Sequence, residues 1–221
     1  MDKKIKKVLD FYAVTHKLKN ILRTGQIAWQ IDAERFESVA EHIYGAQMLA
    51  IAINAEFDLG LDIGKVLSLL AIHELGEIVI GDISPVGSKV TKEKKHEFEL
   101  KAIEKLVKPL DNSGQILELF QEFENRETEE AKFAYFMDKL DMPLQCKFFE
   151  ESGFNDLYKP RTGEHKKLCD ETIARGGTRL FDMWADYDKK YLVKDEFYNQ
   201  FIDYALEHDV FGKSIGRKKL R

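Results

Sequence analysis

One imidazole and three carboxylates fall within ten residues of this chain, at His73, Glu74, Glu77 and Asp82. They follow an apolar run, residues 66–72, that reads as helix core. Burying such groups costs several kcal/mol each unless they are paired or bound to a metal. Two further polar residues interrupt apolar stripes elsewhere. His42 follows Ser38-Val39-Ala40-Glu41 and shares a helix face with Ala46, Leu49 and Ile53. Asp138 lies between Met137 and Leu140 in a third apolar segment. Two imidazoles and two carboxylates make a mixed nitrogen and oxygen donor set. Such a set suits Mn²⁺, Co²⁺, Fe²⁺, Zn²⁺ or Mg²⁺ and needs no thiolate. A metal so held lowers the pKa of bound water and neutralises a phosphoryl group. Glu77 and Asp82 are left over for acid–base work.

Each residue alone also has a plainer reading. A single histidine on an apolar face is more often a hydrogen-bonded core residue. Glu74 and Glu77 alone read as a solvated helix face. The pattern His-Glu-x-x-Glu lacks the second histidine of the zinc-protease signature. Ligands drawn from separate helices facing a bundle interior are a known way to build a metal site.

The elements that must position these residues are helical. Asp2 reads as an N-cap for a helix over residues 2–22, with Ile5, Leu9, Tyr12, Leu18, Ile21 and Leu22 on its apolar face. Thr24-Gly25 ends it, and residues 26–37 form a loop holding Trp29. Ser38 and Glu41 are spaced as a capping box. Asp62 caps a helix carrying Val66, Leu70 and His73, with Glu77 one turn further on the same face. Gly81-Asp82 and Ser84-Pro85 mark a turn and loop. Residues 92–107 and 110–123 read as two helices. Asn125-Arg126-Glu127 breaks the chain, and Thr128 caps a long helix that Pro143 is expected to kink or end. Residues 163–174, a Gly176-Gly177 break and an aromatic-rich helical region around Trp184 to Phe201 complete the chain in that order. No period-2 pattern of convincing length appears. The expected fold is all-α, a single-domain helical bundle over residues 1–221. Its metal-site core covers about residues 17–150, with helices from 160–210 as cladding or an oligomer surface.

Composition narrows the function classes. A net charge of −5 argues against general nucleic-acid binding. Cys146 and Cys169 have no CxxC spacing, so a reducing cytoplasm is the expected compartment. No apolar run reaches the ~18 residues of a membrane span. Of the remaining histidines, His96 lies in a charged helix and reads as solvated, while His16, His165 and His208 have no ligand-type partner at helical spacing. The basic residues Lys213, Arg217, Lys218, Lys219 and Arg221 read as a solvated tail.

Taken in order, Ser38-Val39-Ala40-Glu41-His42, then His73-Glu74-x-x-Glu77-x-x-x-Gly81-Asp82, then Phe136-Met137-Asp138-Lys139-Leu140-Asp141 resemble the HD-domain metal-dependent phosphohydrolases. The likeness is closest to the 5′-deoxynucleotidase branch and includes Leu18-Lys19 and Arg23-Thr24-Gly25. The resemblance implies an all-helical fold with a divalent metal on His42, His73, Glu74 and Asp138. It implies hydrolysis of (deoxy)nucleoside 5′-monophosphates to nucleoside and phosphate. By the same resemblance Glu77 is the acid/base or water-orienting residue and Asp82 a partner near the sugar or water. Arg23 is the phosphate contact, and a homodimer is expected.

Two positions depart from the pattern. Position 74 is Glu where the family name has Asp. Gln26 stands where close relatives carry a Trp. These departures keep two alternatives open: an HD-type hydrolase of another phosphorylated small molecule, and a non-catalytic nucleotide- or metal-binding regulatory protein.

Overall fold

Burial alternates along the amphipathic segments at the helical period, and helices are what form. The computed structural model describes residues 1–84 and 86–212. Pro85 of the expected Ser84-Pro85 loop and the basic tail from Lys213 to Arg221 lie outside the described residues. Among the described residues no strand forms, and the one extended pairing is an isolated antiparallel bridge, Leu22 with Ser38. The expected all-α class is what the fold shows.

The chain gathers into two compact units, one of residues 1–25 and 36–138, the other of residues 26–35 and 139–221. In the first, α1 (Asp2–Thr15) leads into a short 3₁₀ turn (His16–Asn20). Helix α2 (Thr24–Ala28) begins at its edge. Then come α3 (Val39–Phe57), α4 (Ile63–Ile72), the single turn α5 (Glu77–Ile80), α6 (Lys92–Val107), α7 (Gly114–Asn125) and the start of α8 (Glu129–Glu151). Leu18, Val39, Ile43, Leu75, Ile103, Val107 and Phe120 form a core cluster in this unit.

Local chemistry sets most of these boundaries. Ser38 Oγ accepts from Glu41 N while Glu41 Oε2 accepts from Ser38 N, a complete capping box for α3. The Asp62 side chain caps α4 at Lys65 N, 3.1 Å away. Thr128 Oγ1 accepts from Ala131 N at the start of α8. Arg126 turns the chain before it with a left-handed φ of 54°.

Four expectations need correction. Asp2 is the first helical residue and Met1 is the cap, with no side-chain capping bond. Helix α1 ends at Thr15 rather than at residue 22, and none of its residues is fully buried: Ile5, Leu9 and Tyr12 are exposed, and Phe11 packs half-buried against the core cluster. Thr24-Gly25 starts a short helix instead of ending a long one. Finally, α4 stops at Ile72, so His73 and Glu77 lie on either side of a break and not on one continuous helix.

In the second unit Pro143 lies inside α8, which runs on to Glu151. Proline has no N–H for the carbonyl four residues back. That carbonyl, on Lys139, instead accepts from the Tyr198 hydroxyl at 3.1 Å. The orphaned acceptor is satisfied from outside the helix, and the helix continues. Helices α9 (Gly163–Ala174), α10 (Leu180–Tyr191) and α11 (Glu196–Glu207) complete this unit. Residues 26–35 are anchored within it. Trp29 is fully buried, 5.4 Å from the Trp184 ring and 4.5 Å from the His165 ring. Its carbonyl accepts from Arg161 Nη2 at 2.9 Å. Trp29 is therefore a packing residue.

Candidate metal centre

Four of the expected residues meet. One ligand atom from each of His42, His73, Glu74 and Asp138 lies within 4.8 Å of the others, and all four residues are buried. His42 Nε2 is 3.0 Å from Asp138 Oδ1, and His73 Nε2 is 3.7 Å from the same oxygen. Glu74 Oε1 is 3.5 Å from His73 Nε2 and 3.9 Å from His42 Nε2. The extra methylene of Glu at position 74 thus leaves the carboxylate within reach of both imidazoles.

Each residue is placed by its own element. The capping box fixes the first turn of α3, and His42 follows it with no exposed surface. His73 closes α4, its ring 4.8 Å from that of Phe123 on α7. Asp138 rises from α8 among the buried residues Phe133, Ala134 and Met137.

The His73 ring tests whether a cation fits. Its Nδ1 is 2.7 Å from the Leu70 carbonyl, which only accepts, so Nδ1 carries the hydrogen. In the neutral ring Nε2 then presents a lone pair. It faces two carboxylate oxygens and has no hydrogen-bond partner among the described residues. A buried lone pair facing two anions is compensated by a cation between them. The donor set fits a divalent ion of the Mn²⁺, Co²⁺, Fe²⁺, Zn²⁺ or Mg²⁺ kind.

Arg23 flanks this cluster. Antiparallel pairing of residues 21–23 with 37–39 holds it beside the start of α3, through Arg23 N to Glu37 O at 2.9 Å and Val39 N to Ile21 O at 2.8 Å. Its Nη1 is 3.5 Å from Glu74 Oε1 and 3.7 Å from Asp82 Oδ1. Asp82 in turn accepts from both Thr24 N and Thr24 Oγ1 through Oδ2. Burial works against the Arg23 charge, but Asp82, Glu74, Glu77 and Asp138 outweigh it and raise its pKa.

Glu77 is not one of these four residues but borders them through Glu74, the two carboxyl groups lying within 4.8 Å of each other. Its side chain is fully buried, and Oε2 has no partner among the described residues. Burial, together with the like charge of Glu74, pushes its pKa up to about 10 against the pull of Lys95. Glu74 goes the other way. Burial disfavours its charge, but His73 when its ring is protonated, Lys95 and Arg23 hold its pKa down. Two neighbouring carboxyl groups are thereby set to opposite protonation states.

Two residues of the charged helix α6, Lys95 and Glu99, also reach this region. Lys95 Nζ lies 3.3 Å from both Glu77 Oε1 and Glu99 Oε1. Glu74, Glu77 and Glu99 form a second carboxylate group with oxygens within 4.8 Å of one another. The sequence signal that points here is Gly76. A Cβ at that position would lie 2.8 Å from Glu99 Cβ and 2.9 Å from its Cα. Only glycine lets α6 pass this close to the segment between α4 and α5.

The other histidines stay away from the cluster. His96 Nδ1 pairs with Glu124 at 2.9 Å, and His208 stacks on Tyr204. Cys146 and Cys169 are free and buried. No helix among the described residues is long and apolar enough to cross a membrane.

A family model described as "HD domain" matches residues 15–176. The chain is 33% identical over 168 residues to the 5′-deoxynucleotidase HDDC2 of Xenopus laevis, covering 73% of this chain and 81% of that one. It is 34% identical over 154 residues to the 5′-deoxynucleotidase hdd1 of Schizosaccharomyces pombe, covering 67% and 74%. Among solved structures, a predicted metal-dependent phosphohydrolase from Magnetospirillum magnetotacticum superposes with a TM-score of 0.61 at 28% identity, covering 93% of this chain and 94% of that one.

Proposed function

The chain belongs to the HD-domain family, and we propose that it is a divalent-metal-dependent phosphomonoesterase acting on nucleoside 5′-monophosphates, deoxy forms in particular. The names of its relatives in frog and fission yeast support the substrate class. The single observation that carries the reading is the meeting of His42, His73, Glu74 and Asp138 within 4.8 Å, with the His73 Nε2 lone pair unpartnered.

In this reading His42, His73, Glu74 and Asp138 hold the metal. When bound, the ion supplies Lewis-acid activation of water and charge neutralisation on the phosphoryl group. Arg23 is charged at every relevant pH, and its planar fork suits two phosphate oxygens. It exchanges its weak, 3.5–3.7 Å pairings with Glu74 and Asp82 for the phosphate. Asp82, fixed by Thr24, limits how far Arg23 moves.

Glu77 handles the proton. The water oxygen attacks phosphorus and the bond from phosphorus to the 5′-oxygen breaks. A proton must reach that leaving oxygen, and one must leave the attacking water. With its pKa pushed up, Glu77 holds a proton at neutral pH and gives it to the leaving oxygen. It recovers one from the water, and the products are nucleoside and inorganic phosphate.

The proposal also places the enzyme in the cytoplasm as a homodimer. Phosphate release from a panel of deoxy- and ribonucleoside 5′-monophosphates tests the activity, after EDTA treatment and resupply of Co²⁺, Mn²⁺, Mg²⁺ or Zn²⁺ separately. Metal-restored release, greater for deoxy forms, is expected. Release only from a non-nucleotide phosphoester would favour the alternative hydrolase. Tight nucleotide binding without turnover under any metal would favour a regulatory protein.

A further inference from the structure

We infer that Lys95 and Glu99 of α6 form a positioning pair that holds Glu77 by one carboxylate oxygen and leaves the other free for proton transfer. The inference rests on the proposed role of Glu77 in hydrolysis. Its basis is a chain of contacts. Glu99 lies against the backbone at Gly76, closer than any side chain at that position would allow. Glu99 Oε1 is 3.3 Å from Lys95 Nζ, one helical turn away on α6. Lys95 Nζ is 3.3 Å from Glu77 Oε1. Glu77 Oε2 is buried with no partner among the described residues.

The arrangement has a clear chemical consequence. A buried carboxyl free to rotate presents either oxygen and interconverts the two. An ammonium donor on Oε1 removes that freedom, so Oε2 alone faces the reacting atoms. Lys95 can do this because it is itself fixed. Its stem rises from a helix docked at Gly76, and Glu99 takes a second of its three donors. Side chains that act on chemistry need this kind of support to hold their geometry. Lys95 also offsets part of the negative charge of Glu74 and Glu99 on either side of the protonated Glu77. In this reading Lys95 touches neither metal nor substrate.

The test compares wild type with K95M, K95R, E99Q and the K95M/E99Q double variant, each loaded with metal. K95M is expected to lower kcat by ~10- to 100-fold, within the range that a positioned acid or base contributes. KM and bound metal per chain are expected to stay at wild-type values. K95R should recover part of the lost kcat. E99Q should cost less than K95M, and the double variant no more than K95M alone, because Glu99 acts only through Lys95. Unchanged kcat in K95M would overturn the inference, and so would a rise in KM alone, which would mean that Lys95 contacts substrate. Loss of metal in K95M would overturn it too. Should wild type release no phosphate from any nucleotide, the proposed function fails separately. A crystal structure of K95M then decides the inference by itself. A displaced Glu77 carboxyl upholds it and an unmoved one overturns it.

Discussion

His42 Nε2 and Asp138 Oδ1 lie 3.0 Å apart although 96 positions separate them in the chain. One belongs to the first turn of α3 and the other to the middle of α8. His73 reaches the same Asp138 oxygen at 3.7 Å from the end of α4. Three helices therefore meet at one carboxylate. The His73 Nε2 lone pair beside two carboxylates is left unpartnered among the described residues, and a cation would complete the set.

Metal should therefore stabilise the fold, and H73A should not respond to it. Ligand present at a hundredfold over its Kd adds ~2.7 kcal/mol to the stability of a protein that binds it only when folded. Thermal melts of EDTA-treated wild type are expected to move to higher Tm on adding Mn²⁺ or Co²⁺. H73A should show little or no shift. An equal shift in both proteins would remove His73 from the site.

Arg23 is expected to tolerate no substitution, lysine included. Lysine keeps the charge but loses the planar pair of donors. R23K should lower kcat/KM by ~10- to 100-fold, the scale on which a misplaced clamp costs catalysis. Its metal content should match wild type, because Arg23 touches Glu74 and Asp82 and not the two histidines. Steady-state kinetics together with metal analysis separates these effects.

Glu77 should make the metal-free protein less stable as pH rises. Its pKa is about 10 in the folded chain against an ordinary 4.5. Below 4.5 it is protonated in both states, and its favourable contribution is complete. Between 4.5 and 10 the unfolded chain gives up a proton that the folded chain keeps, so stability falls by up to ~1.4 kcal/mol per pH unit. E77Q removes this dependence. EDTA-treated E77Q and wild type should unfold at similar urea concentrations near pH 5. By about pH 8 E77Q should be the more stable by a few kcal/mol, and it should hydrolyse no substrate. A constant difference across this range would contradict the burial argument.

Much of this site is legible in the sequence, for identifiable reasons. His42, His73, Glu74 and Asp138 each interrupt an apolar stripe, and a polar residue in a stripe is visible without coordinates. The capping box at Ser38 and Glu41 and the cap at Asp62 are equally local, and the structure has both. What escapes is what depends on a partner. Helical spacing marks Ile5, Leu9 and Tyr12 as one face of α1, but cannot say whether anything covers them, and in this chain they are exposed. Periodicity runs unbroken from Val66 to Glu77, so the break after Ile72 is invisible. Just beyond it Gly76 packs against Glu99 of α6, a partner that local periodicity does not reveal. Lys95 and Glu99 sit in a helix so rich in charge that a half-buried and a buried position look like the solvated ones around them. Pro143 reads as a helix end because the hydroxyl that relieves it comes from Tyr198.

Gly76 gives a prediction that separates this packing from chain flexibility. Its φ of −59° suits any residue, so G76A pays no backbone strain. The cost comes from the added methyl meeting Glu99 Cα and Cβ at under 3 Å. Overpacking of this kind destabilises by ~1–3 kcal/mol. Urea denaturation of G76A should show a lower midpoint, and phosphate release should fall with it as α6 is pushed away from Glu77. A fully stable and active G76A would show that α6 does not need this approach.

The most direct test of the central claim measures metal and turnover on the same samples. Wild type and D138N, purified identically, would be stripped with EDTA and resupplied with Mn²⁺ or Co²⁺. Bound metal per chain would be read by mass spectrometry, and phosphate release from deoxynucleoside 5′-monophosphates would be measured in parallel. The four-residue centre predicts that wild type regains metal and activity together and D138N regains neither. Full activity in D138N, or activity in wild type with no metal bound, would contradict it.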